Sequence, residues 1–129
     1  MRAIQILFHM WLQLFCFLLI GGSLSAANTL RVLTFNIHHG EGTDSRLDLN
    51  RLSSVIDGLA PDIVALQEVD RRTGRSHDVD QLEVLAAHTG MHAAFGAAMP
   101  HDGGLYGNAI LSRFPLKDVR THPLPFREG

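Results

Sequence analysis

The sequence predicts an α/β fold containing a parallel strand pair joined by a helical crossover, and three observations carry that expectation. Two β-rich, nearly continuous apolar runs stand at 30–37 (LRVLTFNI) and 62–69 (DIVALQEV). Between them Leu49, Leu52, Val55, Ile56 and Leu59 recur at helical spacing. A continuous apolar strand is one covered on both faces, and a strand–helix–strand order forms a crossover unit with parallel strands.

The chain begins with Arg2, a mostly apolar stretch from Ile4 to Ile20, Gly21 and Gly22, and then small residues. This is the order of a secretory signal. Ser25-Ala26-Ala27 places cleavage before Asn28, with Ser23-Leu24-Ser25 as a second option. An uncleaved membrane anchor is the alternative, against which stand Gln5, His9 and Gln13 and a length short of a bilayer span. The expected organisation is therefore a signal peptide over 1–27 and one domain over 28–129. The product would be secreted or periplasmic, or anchored if the segment stays. Cys16, the only cysteine, would leave with the signal, so disulfides and thiol chemistry are excluded from the mature chain.

With 46% hydrophobic and 19% charged residues, the 129-residue chain has the composition of a packed protein rather than a disordered one. A formal net charge of −2 excludes a polybasic nucleic-acid binder held by charge alone. It leaves a phosphodiester substrate open, because a divalent cation supplies positive charge locally.

Within the domain the elements follow in order. After the strand at 30–37 comes a Gly/His/Asp loop over 38–46. Asp48 is placed to cap the helix that starts at Leu49, and Ala60-Pro61 ends it. The strand at 62–69 leads into an arginine-rich loop over 70–78. Asp80-Gln81-Leu82-Glu83 resembles a capping box opening a helix over 80–88, and Gly90 suits its left-handed end. Strands are expected at 91–99, at 105–112 after a His101-Asp102-Gly103-Gly104 turn, and at 116–122, before a loop at Pro123 and Pro125.

Parallel neighbours end on the same edge of a sheet, where α/β proteins place their ligands. Asn36 and Glu68, which close the two apolar runs, should meet there. A carboxylate following strand core is costly unless it is paired or binds a cation, and a hard oxygen ligand suits Mg²⁺ or Mn²⁺. The competing reading of Glu68 is a solvated strand-end glutamate paired with Arg71 or Arg72. The Asn36 amide would support a metal ligand, coordinate directly or donate to a phosphate, or else merely start the next turn.

His38 and His39 are adjacent, and adjacent strand residues point to opposite faces, so the two are not expected to share one ion. Without cysteine or an H-E-x-x-H spacing, zinc is not favoured. His39 is kept as a metal-supporting or substrate contact, against the plain reading of a loop histidine. Arg71, Arg72 and Arg75 are read as solvated loop charges. Gly107-Asn108, ahead of Ala109-Ile110-Leu111, reads as a bulge or a substrate contact.

Taken together, LTFNIHHG (33–40), LDLNRL (47–52), PDIVALQEVD (61–70) and GNAILSRFP (107–115) resemble the deoxyribonuclease I-like endonuclease/exonuclease/phosphatase superfamily, and its bacterial secreted branch in particular. The resemblance implies the N-terminal half of a four-layer α/β sandwich, two packed β-sheets flanked by helices. It implies divalent-metal-dependent hydrolysis of a phosphoester by a phosphodiesterase or nuclease, with Mg²⁺ or Mn²⁺ as cofactor. Glu68 would be the metal-binding glutamate and Asn36 the asparagine beside metal and scissile phosphate. Asn108 would lie near the substrate.

The substrate would be nucleic acid or, in a lipid or glycolipid phosphodiesterase of the same fold, a phospholipid headgroup; no protein partner is predicted. The family's catalytic histidine, its D-x-N segment and its final aspartate–histidine pair belong to the second half. The chain as written is therefore expected to be inactive, and a non-catalytic secreted half-domain is the remaining alternative.

Overall fold

The computed structural model describes residues 29–122. The signal peptide expected over 1–27 and the proline loop at 123–125 lie outside the described residues. Four strands, β1 (Val32–Asn36), β2 (Ile63–Arg71), β3 (His92–His101) and β4 (Gly104–Ser112), form one sheet in the order β1-β2-β4-β3. Two helices, α1 (Leu49–Leu59) and α2 (Gln81–Thr89), complete the framework.

The crossover predicted from the sequence is present. β1 and β2 are parallel, with Val32 facing Ile63 and Asn36 facing Gln67. The other two pairings are antiparallel. α1 starts where Asp48 accepts a 2.9 Å bond from the Arg51 N–H, and it ends on Ala60 in the left-handed region. Asp80 caps α2 by accepting from the Glu83 N–H, and left-handed Gly90 closes it.

One face of the sheet carries the core. Val64, Leu66, Val69, Ala109 and Leu111 are buried there with Leu49 and Ile56 of α1 and Leu82 and Leu85 of α2. The opposite face holds Val32, Thr34, Ala65, Gln67 and Ile110, of which Val32 is 62% exposed. The described residues thus supply one sheet and one helical layer, two adjacent layers of the expected four-layer sandwich.

Two expectations need correction. Residues 116–122 form no strand. The segment follows Pro115, which can donate no ladder bond, and instead of extending an edge it lies over the open face of the sheet. There Leu116, Val119 and Thr121 border a hollow of about 500 Å³ floored by Ala65, Gly96 and Ile110. β2 also runs two residues further than expected, through Asp70 and Arg71, because both still pair with β4.

Candidate functional site

The convergence of Asn36 and Glu68 is the outcome of a parallel pair and a bulge. Leu66 of β2 faces Ala109 of β4, but Val69 faces Gly107, so Gln67 and Glu68 together oppose Asn108. A bulge resets the alternation of a strand. Without it Glu68 would fall in phase with Val64 and Leu66, in the helix-covered core. With it Val69 takes the core position, and Glu68 is turned out at a positive φ of 60°.

The Asn36 Nδ2 donates to Glu68 Oε1 at 2.7 Å. Its own Oδ1 accepts from the His38 backbone N–H at 2.9 Å. Asn36 therefore bridges β2 to the turn after β1, and both ends of its amide are engaged. The turn itself is unusual. His38, His39 and Gly40 all have positive φ (46°, 44° and 84°), a conformation that costs energy for residues with a Cβ and concentrates at functional sites.

This geometry overturns the expectation that the two histidines diverge. They do not lie on a strand, so the alternation rule does not apply to them. Their ring centroids are 4.4 Å apart. One nitrogen of each, together with a Glu68 carboxylate oxygen, falls within a 4.8 Å cluster. His39 Nε2 also lies 3.4 Å from Glu41 Oε2.

The turn is tied to the rest of the fold by Gln81, a residue read from the sequence only as part of a helix cap. Fully buried, it donates through Nε2 to the His39 carbonyl at 2.6 Å, and its Oε1 accepts from the Asp70 N–H at 3.0 Å. One side chain thus fixes both the histidine turn and the strand that carries Glu68.

A family profile described as Endonuclease/Exonuclease/phosphatase family matches residues 33–128. The chain belongs to that family. It resembles the uncharacterized protein YbhP of Escherichia coli K12, with 32% identity over 97 residues, and the same protein of Shigella flexneri at the same identity. That match takes in 69% of this chain and 38% of YbhP, so the chain spans well under half the length of these relatives.

Among solved structures, the endonuclease/exonuclease/phosphatase from Beutenbergia cavernae superposes with a TM-score of 0.55 at 36% identity, over 67% of this chain and 26% of that one. A family protein from Leptotrichia buccalis gives 0.54 at 17% identity, over 69% and 39%, and shows the shared fold.

Beside Glu68 lies a second group of the family domain that the sequence reading took for solvated charge. Asp70 is fully buried and binds Arg75 through both oxygens, at 2.7 Å from Nε and 2.8 Å from Nη2. The Thr73 hydroxyl donates to the same carboxylate at 2.7 Å. Burial pushes the Asp70 carboxyl up, but Arg75 and Thr73 outweigh it and hold it below the ordinary aspartate value.

The Arg75 guanidinium lies 5.5 Å over the Tyr106 ring, and Asp102 accepts from the Arg75 N–H at 2.7 Å. Burial raises the Tyr106 hydroxyl pKa, with the negative charge of Glu68 adding to the effect and Arg75 opposing it. Arg71 is likewise engaged, through a 2.8 Å pair with Asp80. Neither Arg71 nor Arg75 is simply solvated. Asn108 is exposed, faces Gly96 across β3, and borders the hollow on the open face together with Gln67.

Proposed function

We propose that the protein is a divalent-metal-dependent phosphoester hydrolase, acting on a phosphodiester, with Glu68 as a metal ligand. The observation that carries the reading is the Asn36–Glu68 hydrogen bond, from the carboxyl end of β1 to the bulge inside the parallel strand β2, in a chain of this family. The residues suit a divalent ion. Glu68 offers a second carboxylate oxygen beyond the one Asn36 holds, and the bulge directs it away from the core. When bound, Mg²⁺ or Mn²⁺ would polarise a phosphoryl oxygen and offset charge gathering on the phosphate.

The chain's own residues serve that chemistry by placement. Asn36 fixes the rotamer of Glu68 and, through His38, the mouth of the turn. Asn108, opposite the bulge, presents an amide that would donate to a substrate oxygen. His39, held by Glu41 and Gln81, borders the same space. The family resemblance implies that the histidine and aspartate groups that activate water come from the C-terminal half.

The leader-like N-terminal segment supports export, and an exported phosphodiesterase would meet lipid headgroups as well as nucleic acid. The test is Mg²⁺-dependent hydrolysis of bis(p-nitrophenyl) phosphate by the full-length protein, with DNA and phospholipid as competing substrates. Glu68→Gln should abolish the activity. Retained activity would remove Glu68 from the site.

A further inference from the structure

The expected cofactor is a hard ion, yet the donors gathered around Glu68 are not all hard. Mg²⁺ takes oxygen ligands almost exclusively, whereas imidazole nitrogen suits Zn²⁺, Cu²⁺, Fe²⁺ and Ni²⁺. We propose that His38, His39 and Glu68 form a three-ligand site for a transition-metal dication, which the chain holds in preference to Mg²⁺. The proposal rests on reading Glu68 as a metal ligand and extends it by two residues.

Three features of the turn support it. The donor atoms lie within 4.8 Å of one another. An ion with bonds of about 2.1 Å needs neighbouring donors roughly 3.0–3.4 Å apart. The gap is for side-chain rotation to close, chiefly that of exposed His38, since Asn36 holds Glu68 and Glu41 stands against His39.

The nitrogen of His39 that faces away from the ion must also be controlled. Metal-bound histidines hand their other ring nitrogen to a carboxylate, which fixes the tautomer and strengthens the ligand. Glu41 stands 3.4 Å from His39 Nε2, which leaves Nδ1 for the metal. Finally, the two histidines meet only because the backbone of both is left-handed. That conformation is held in place by the Asn36 Oδ1 bond to the His38 N–H and the Gln81 bond to the His39 carbonyl.

The set is two nitrogens and one carboxylate, with further coordination positions open to water or to a phosphate oxygen. Such a three-ligand, open site is the arrangement of catalytic rather than structural metal centres.

The experiment is Co²⁺ binding to the chelator-stripped full chain, read by its visible ligand-field bands, with Mg²⁺ and Zn²⁺ as competitors. His38→Asn and His39→Asn are the informative variants, because asparagine tolerates the left-handed backbone that alanine would strain. Each should weaken Co²⁺ binding at least about ten-fold and shift the bands, with the thermal melt of the metal-free chain unchanged. Zn²⁺ should displace Co²⁺ at equimolar concentration, and Mg²⁺ should not.

Wild-type Co²⁺ affinity in both histidine variants, or no Co²⁺ binding by the wild type, would overturn the proposal. If Glu68→Gln then still lost Mg²⁺-dependent activity, Glu68 would keep its place as a ligand for Mg²⁺ alone. Unchanged Co²⁺ affinity and unchanged hydrolysis in Glu68→Gln would defeat both readings together.

Discussion

Asn36 and Glu68 sit on adjacent parallel strands and are joined by a 2.7 Å hydrogen bond from the asparagine amide to one carboxylate oxygen. The other end of the amide accepts from the His38 N–H. Asn36 acts as a strut that aims Glu68 and pins the turn, and partners that orient a metal ligand typically carry ten- to a hundred-fold in affinity. Asn36→Ala should therefore weaken Mn²⁺ binding by about ten-fold or more. Paramagnetic relaxation of water protons would read the change. Unaltered affinity in a folded variant would show that Glu68 is aimed by the bulge alone.

The Asp70–Arg75 pair makes a prediction about stability. Removing Arg75 leaves a fully buried carboxylate with only the Thr73 hydroxyl, and breaking a buried pair in this way costs about 3–5 kcal/mol. Arg75→Met should lower the unfolding free energy by that order in urea titrations at pH 7. A loss below about 1 kcal/mol would mean the pair behaves as a surface one.

The same pair fixes a pH dependence. The folded Asp70 value is depressed, so the unfolded chain takes up the proton more readily than the native one. The pair's contribution is fully present above about pH 4, the ordinary aspartate range, and is lost as pH falls through the lower folded value. The midpoint urea concentration should decline below about pH 4 in the wild type, and Asp70→Asn should flatten that decline. An equally steep acid limb in Asp70→Asn would assign the effect to other carboxylates.

Much of this architecture was legible in the sequence because local rules decided it. The helix caps at Asp48 and Asp80, the left-handed Gly90 and the parallel crossover all follow from short-range chemistry and are all present. What was illegible depended on partners far along the chain. The buried role of Gln81 rests on His39, forty-two positions away, and no local pattern marks it. The divergence expected of the two histidines fails because strand alternation does not govern residues of the loop over 38–46. Three positive φ angles in succession, two of them at residues with a Cβ, are held by tertiary bonds that the sequence does not announce. Arg75 was misread for a similar reason, since its partner Asp70 looked like the first loop residue and is in fact a strand residue buried under Thr73 and Ser76.

Two glycines separate helix propensity from steric need. Gly58 lies on the exposed side of α1, and a Cβ there would meet nothing within 4 Å. Gly58→Ala should stabilise the chain by about 0.5–1 kcal/mol. A Cβ on Gly104, by contrast, would run into the backbone carbonyls of Arg71 and Arg72. Gly104→Ala must push β4 away from β2 where Leu105 pairs with Arg71, and should lower the melting temperature. Thermal melts of the two variants should move in opposite directions; a shared direction would contradict the packing at one of them.

Asn108 separates substrate contact from metal binding. It is the single β4 residue opposite Gln67 and Glu68, so any backbone change there would disturb the bulge, but its side chain is exposed on the open face. Asn108→Ala keeps the strand backbone and removes only the amide. If that amide donates to a substrate oxygen, kcat/KM should fall by about ten-fold, the worth of one hydrogen bond to a charged group. Mn²⁺ affinity should stay at the wild-type value, because Asn36 and not Asn108 holds the Glu68 carboxylate. A parallel loss of Mn²⁺ affinity would instead show that Asn108 acts through the bulge, by setting the direction of Glu68.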